Sequence, residues 1–264
     1  MPVRVLIKGS SIGVMSSELG GPRHHFTFGR AIESALGAAG HPAEVRNLAV
    51  VGGRTSTALL EWEREALAFS PDVVVLGYGF YESIHLALPW WLERHANSVR
   101  GRPRPLRGLY RKYPLRATWM TAAKLQSRVD SPGGGLRALG GSPEQVVADL
   151  ERLIERMREV GRPLILLLEL MPPNARGDSW FPGMRGRIAA MNDALASLVA
   201  RVDDPEVRLF SVPAVAAAGL PPDVDPVPDS IHYSAELHHL VGQGIADEIL
   251  GWAATQEHLR LPGE

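Results

Sequence analysis

Five short apolar runs, each of strand length and rich in branched side chains, recur at 3–8, 43–50, 72–79, 163–170 and 207–212. Most are nearly continuously apolar, the pattern of strands buried on both faces of a parallel sheet. Stretches of helical period follow each of them, at 24–39, 56–69, 143–160, 184–201 and 234–254. That alternation predicts an open, doubly wound α/β fold, in which ligands sit at the carboxyl ends of the strands. Two helix starts are well marked. Ser142 and Pro143 stand as N-cap and first residue of one helix, and Tyr233-Ser234 with Glu236 open the last.

The 264 residues are 45% hydrophobic, enough for one domain with a full core, and 1–264 is read as a single domain. Its regular alternation breaks once. From about 83 to 141 no buried strand is evident, and the stretch reads as a helical, basic insertion after the third strand that would overhang the strand ends as a lid. The absence of cysteine removes disulfides, thiolate metal sites and a cysteine nucleophile. The formal charge of −1 gives no global pull toward nucleic acid. The chain opens directly on a strand pattern, and no run reaches the ~18 apolar residues needed to cross a bilayer, so a cytoplasmic location is expected. No reading of the oligomeric state follows.

A parallel sheet would bring four loops to one edge: Gly9-Ser10-Ser11, Gly52-Gly53-Arg54-Thr55, Gly79-Phe80-Tyr81-Glu82 and Asp229-Ser230-Ile231-His232. Spaced by three in a loop, Asp229 can accept from Nδ1 of His232 and leave Nε2 outward as a base. A serine facing that nitrogen becomes an activated nucleophile. The amide of Gly52 would point at a developing oxyanion.

In these four blocks the chain resembles the SGNH, or GDSL-like, hydrolases: esterases, lipases, deacetylases and acyltransferases on a flavodoxin-like three-layer α/β/α fold with a five-stranded parallel sheet. The likeness covers nearly all of the chain outside the insertion. "KGSSIG" is similar to the family's Gly-Asp-Ser block with Ser10 at the aspartate, which makes Ser11 the implied nucleophile. "NLAVVGGRTS" matches the glycine donor block at Gly52, and "PDSIHYSAELHH" matches the last block, implying Asp229 and His232. "ELMPPN" falls where such enzymes commonly carry a Pro-Pro turn. The third block, usually Gly-x-Asn-Asp, has Tyr81 at the asparagine. Such a side chain is typically worth ~10²- to 10³-fold in rate. Tyr81 donates in its place, another group does, or hydrolysis is weak.

The expectation is therefore a serine hydrolase acting on a small-molecule ester through a Ser-His-Asp triad and an acyl-enzyme, with no metal or cofactor. One alternative is an acyltransferase using the same triad on a carrier-linked, CoA-linked or other anionic substrate. Another is a catalytically silent binding module with an incomplete oxyanion hole. The segment from Arg94 to Val129 holds ten Lys and Arg and no Asp or Glu, interleaved with Tyr110, Tyr113 and Trp119. A charge run is commonly a solvated face. Here Arg104, Arg107 and Arg111 are candidates for binding an anionic or amphiphilic substrate. No motif for reading nucleic acid accompanies them. The pairs His24-His25 and His238-His239 lack an accompanying carboxylate cluster and read as surface or packing residues.

Overall fold

All five runs enter one parallel sheet in a computed structural model, which describes residues 2–16, 21–22, 27–84, 121, 142–180 and 183–259. The strands are β1 (Val3–Gly9), β2 (Ala43–Asn47), β3 (Val73–Gly77), β4 (Leu164–Leu168) and β5 (Val207–Phe210). Their order is β2-β1-β3-β4-β5. This is the flavodoxin-like arrangement, whose strand order reverses between β1 and β3 and opens a crevice there. Val5 of β1 pairs with Val45 on one side and Val73 on the other, and Val75 of β3 pairs with Leu166 of β4.

The central strands are apolar because both of their faces are covered. Val5, Leu6, Val74 and Leu166 are fully buried, and burying such a side chain stabilises a fold by roughly 1.5–3 kcal/mol. Helix α1 (Phe28–Ala38) packs with the last helix, α8 (Ala235–Ala253). On the other side α2 (Thr55–Trp62) packs with α4 (Pro143–Val160), and α4 with α6 (Met184–Val202). Short helices α3 (Phe80–Ile84), α5 (Ala175–Trp180) and α7 (Val212–Gly219) follow strands β3, β4 and β5. The sequence pattern does not reveal them. β2 departs from expectation in another way: it is an edge strand, and its side chains alternate between exposed and half-buried. An edge strand lacks cover on one side and tolerates Glu44 and Arg46 there.

Both marked helix starts form as expected. Ser142 accepts from the Gln145 amide and Ser234 from the Leu237 amide, which satisfies orphan donors of the first turn. Two polar groups inside the core are also paired. Lys8 of β1, almost fully buried, is held in an ion pair by Glu65, which lies on a π turn continuing α2 over Glu63–Leu67. His238 of α8 is a packing residue, as expected. Its Nδ1 accepts from the Phe28 amide at 3.2 Å, so Nε2 carries the proton and donates to the Met15 carbonyl at 3.0 Å. Thr27 makes no side-chain cap at the start of α1, and His238 supplies an acceptor there from across the fold.

Among the described residues, no helix is long and apolar enough to cross a membrane. The expected insertion at 83–141 lies outside the described residues except for 83, 84 and 121, and Arg104, Arg107, Arg111, His24 and His25 lie outside them as well.

Candidate active site

Each strand exit contributes a different part of one site. β1 ends at Gly9, and the chain turns through Ser10 into a single 3-10 turn over Ser11–Gly13. That turn leaves Ser11 at the carboxyl edge with its Oγ 3.0 Å from Nε2 of His232, a residue 221 positions away in the chain. Nδ1 of His232 lies 2.7 Å from Asp229 Oδ2. The other carboxylate oxygen, Oδ1, accepts from the amides of Ile231 at 2.9 Å and His232 at 2.7 Å.

These bonds set the charge and the tautomer. Burial opposes ionisation of Asp229, but the hydrogen bond from the His232 ring, the amide of His232, the nearby imidazole and the amide of Ile231 together hold its carboxyl below the ordinary value. A charged Asp229 can only accept, so Nδ1 of His232 is the donor. When the ring carries only that proton, Nε2 is an acceptor and the Ser11 hydroxyl donates to it. Hydroxyl, imidazole and carboxylate thus stand in one hydrogen-bonded line.

Between Asp229 and His232, Ser230 has φ of 72°, a left-handed conformation that costs a non-glycine residue roughly 1–3 kcal/mol and persists only where its surroundings enforce it. Ser230 is buried, and its hydroxyl donates to Asn174 Oδ1 at 2.7 Å.

The loop after β2 carries the glycine pair. Gly52 has φ of 76°. Gly53 comes so close to β1 that a Cβ on it would lie 2.4 Å from the Gly9 carbonyl oxygen, an approach only glycine permits. Among the described residues, neither the Ser11 nor the Gly52 amide donates to another acceptor. Tyr81 of α3 reaches across to this loop: a Cβ on Gly52 would stand 3.7 Å from the Tyr81 phenolic oxygen. The Arg54 guanidinium lies 5.4 Å from the centre of the Tyr81 ring. Ser10, by contrast, turns inward. It is almost fully buried, and its Oγ has no hydrogen-bond partner, so it faces protein and not the open edge where Ser11 stands.

Glu82, at the last position of the third block, is buried beneath this edge. Its Oε2 accepts from the Gly79 amide at 3.2 Å, and among the described residues its Oε1 has no hydrogen-bond partner. Burial pushes the Glu82 carboxyl above its ordinary value, in spite of its own amide, the Thr55 amide, the Arg54 guanidinium and the Gly79 amide. A carboxyl whose folded value is raised contributes stability that is full below its unfolded value of 4.5 and is lost as the pH rises through the folded value. Wild-type stability relative to Glu82→Gln should therefore fall as the pH is raised from about 4.5. Urea unfolding of both proteins across that range checks it, and a pH-independent difference refutes it.

Asn174 is the site residue that sequence reading did not single out, and that reading gave Ser230 and Glu82 no role beyond their place in two of the four loops. "ELMPPN" marks the turn that carries Asn174, but nothing in it announces partners more than fifty positions away. Among the described residues no group of three or more His, Asp or Glu is gathered so as to hold a metal ion. A separate cavity of about 330 Å³, walled by Trp62, Met157 and Trp252, lies at the amino-terminal edge of the strands and shares no residue with this site.

No family model matches this sequence, and no curated protein matches it either. Solved structures do. The lipase/acylhydrolase from Enterococcus faecalis superposes with a TM-score of 0.59 at 16% identity, over 95% of this chain and 96% of that one. The chain has the fold of that hydrolase. TesA matches at 17% identity and a TM-score of 0.54, over 97% of this chain and 99% of that one. A catalytic mutant of Axe2, an acetylxylan esterase from Geobacillus stearothermophilus, matches at 13% identity and a TM-score of 0.58, over 94% and 95%. The hydrolase fold is thus matched along nearly the full length of each chain, as the resemblance in the four sequence blocks implies.

Proposed function

We propose that this protein is a serine hydrolase of small-molecule esters, working through a covalent acyl-enzyme. The observation that carries the reading is the line of two hydrogen bonds, 3.0 Å from Ser11 to His232 and 2.7 Å from His232 to Asp229. Nε2 of His232 takes the Ser11 proton as Oγ attacks the ester carbonyl carbon. The carbonyl π electrons move to oxygen, and the amides of Ser11 and Gly52, with the Tyr81 hydroxyl, face the resulting oxyanion. Asp229 holds the imidazolium that forms. When the intermediate collapses, the C–O bond to the alcohol breaks, and His232 returns the proton to the departing oxygen. Water enters, gives its proton to Nε2 and attacks the acyl-enzyme. The second collapse frees the acid and restores Ser11. None of these steps routes a proton through a group other than His232.

The fold supports the reading, because proteins described as a lipase/acylhydrolase and an acetylxylan esterase share it. A fold alone does not fix a function, so the test addresses Ser11 itself. Incubation with a fluorophosphonate should phosphonylate the wild type with a single adduct on the peptide containing Ser11, and Ser11→Ala should take up none. Equal labelling of the two proteins, or an adduct elsewhere, would sink the reading, and a wild type that takes up none would leave the binding module.

A further inference from the structure

Ser11 and His232 are useful to each other only if the 225–232 loop holds its register against β1, and that loop contains no helix or strand of its own. We infer that Asn174 is the positioning residue that holds it, acting through the loop and touching no substrate. The inference rests on the hydrolase reading above for its effect on rate, and on geometry for the clamp itself.

Asn174 follows the Pro172-Pro173 turn at the exit of β4 and stands just before α5. Its amide uses every bond it can form. Nδ2 donates to Asp225 Oδ2 at 2.7 Å and to the Val227 carbonyl at 2.9 Å. Oδ1 accepts from the Ser230 hydroxyl at 2.7 Å and from the Gly177 amide at 3.0 Å. The Val227 carbonyl can only accept and the Gly177 amide can only donate, which fixes which end of the side chain is which. Three of the four bonds go to the loop that presents Asp229.

The clamp has two further supports. Asp225 Oδ1 accepts from the Val227 amide at 2.9 Å, so the carboxylate held by Asn174 also shapes the turn leading to Asp229. Gly177 presses directly on the loop, since a Cβ there would stand 2.8 Å from the Cβ of Ser230. The base of the clamp is fixed from α6, where Arg185 donates to the Pro173 carbonyl at 2.5 Å and to Asp178. The left-handed turn at Ser230 lies between Asp229 and His232, and its hydroxyl anchor is Asn174. Release of that anchor would let the turn relax and move both side chains relative to Ser11.

A displacement of about 1 Å at a reacting group can cost ~10²-fold in rate. Asn174→Ala and Ser230→Ala should each lower kcat for a p-nitrophenyl ester by ~10- to 100-fold while KM changes less than about threefold. Ser230→Gly should lose less than Ser230→Ala, because glycine keeps the left-handed turn without an anchor. Both are compared at temperatures where circular dichroism shows them folded, because glycine is also the more stable residue at this φ. The low-field proton resonance of the His232 to Asp229 bond gives a readout that needs no turnover. It should be present in the wild type and in Ser11→Ala, and broadened or absent in Asn174→Ala. If Asn174→Ala does not fold, the order of the two Ser230 variants and their resonances decide the matter. Wild-type kcat and an intact resonance in the Asn174 and Ser230 alanine variants overturn the clamp. If fluorophosphonate labelling fails at Ser11, the hydrolase reading falls on its own, and the resonance still tests the clamp.

Discussion

Asp229→Asn lowers kcat for p-nitrophenyl acetate at neutral pH by ~10⁴-fold, the scale found when the aspartate of a serine triad loses its charge. The reason lies in how the carboxylate is held. Oδ1 already accepts from the amides of Ile231 and His232, so the oxygen of an asparagine must take that position. Its NH₂ group is then left facing Nδ1 of His232, where the carboxylate oxygen now lies at 2.7 Å. A donor there forces Nδ1 to accept, the ring proton moves to Nε2, and Nε2 can no longer take a proton from Ser11. The loop keeps its shape while the base acquires the wrong tautomer. Steady-state kinetics alongside circular dichroism distinguish this from unfolding. A loss of less than tenfold would mean that Asp229 does not orient the base.

Tyr81→Phe lowers kcat by ~10²- to 10³-fold, with KM little changed, if the phenol serves the oxyanion. The substitution removes one oxygen and leaves the ring that packs by Gly52. Where the resembling family has a short asparagine, this chain carries a long, rigid arm with the hydroxyl at its tip, on the first turn of α3. The nearby Arg54 guanidinium favours negative charge in this corner. Tyr81→Asn should not restore the rate, because the shorter side chain cannot reach the same point from the same backbone. Wild-type kcat in Tyr81→Phe would assign the oxyanion to the amides of Ser11 and Gly52 alone.

The sheet was readable because its centre is buried on both faces. Val73 to Leu76 and Leu164 to Leu168 are continuous apolar runs, and helix 143–160 begins and ends where Ser142 and Gly161 put it. β2 was harder to read, since an edge strand alternates and its run continued apolar past Asn47 into a loop. Helices α3, α5 and α7 are between five and eight residues long. So short a segment completes too few turns for a 3.6-residue period to stand out.

In the candidate site, Ser11, Asp229 and His232 were legible through the three-residue spacing of the last pair and the order of the four blocks. Asn174 was not, because it acts by bonding a loop distant in the chain. A side-chain amide bonded to residues 51 to 56 positions away leaves no periodic trace. The buried Ser10 shows the reverse case, a position prominent in the motif whose side chain turns into the protein.

The packing of α8 on α1, latched where His238 accepts from Phe28 and donates to Met15, has a consequence for the order of events during synthesis. His232 and the helix that latches the amino-terminal loops are made 221 residues or more after Ser11. On the proposed mechanism a nascent chain that carries Ser11 has no base to activate it until His232 follows, so the hydroxyl stays idle over that whole stretch of synthesis.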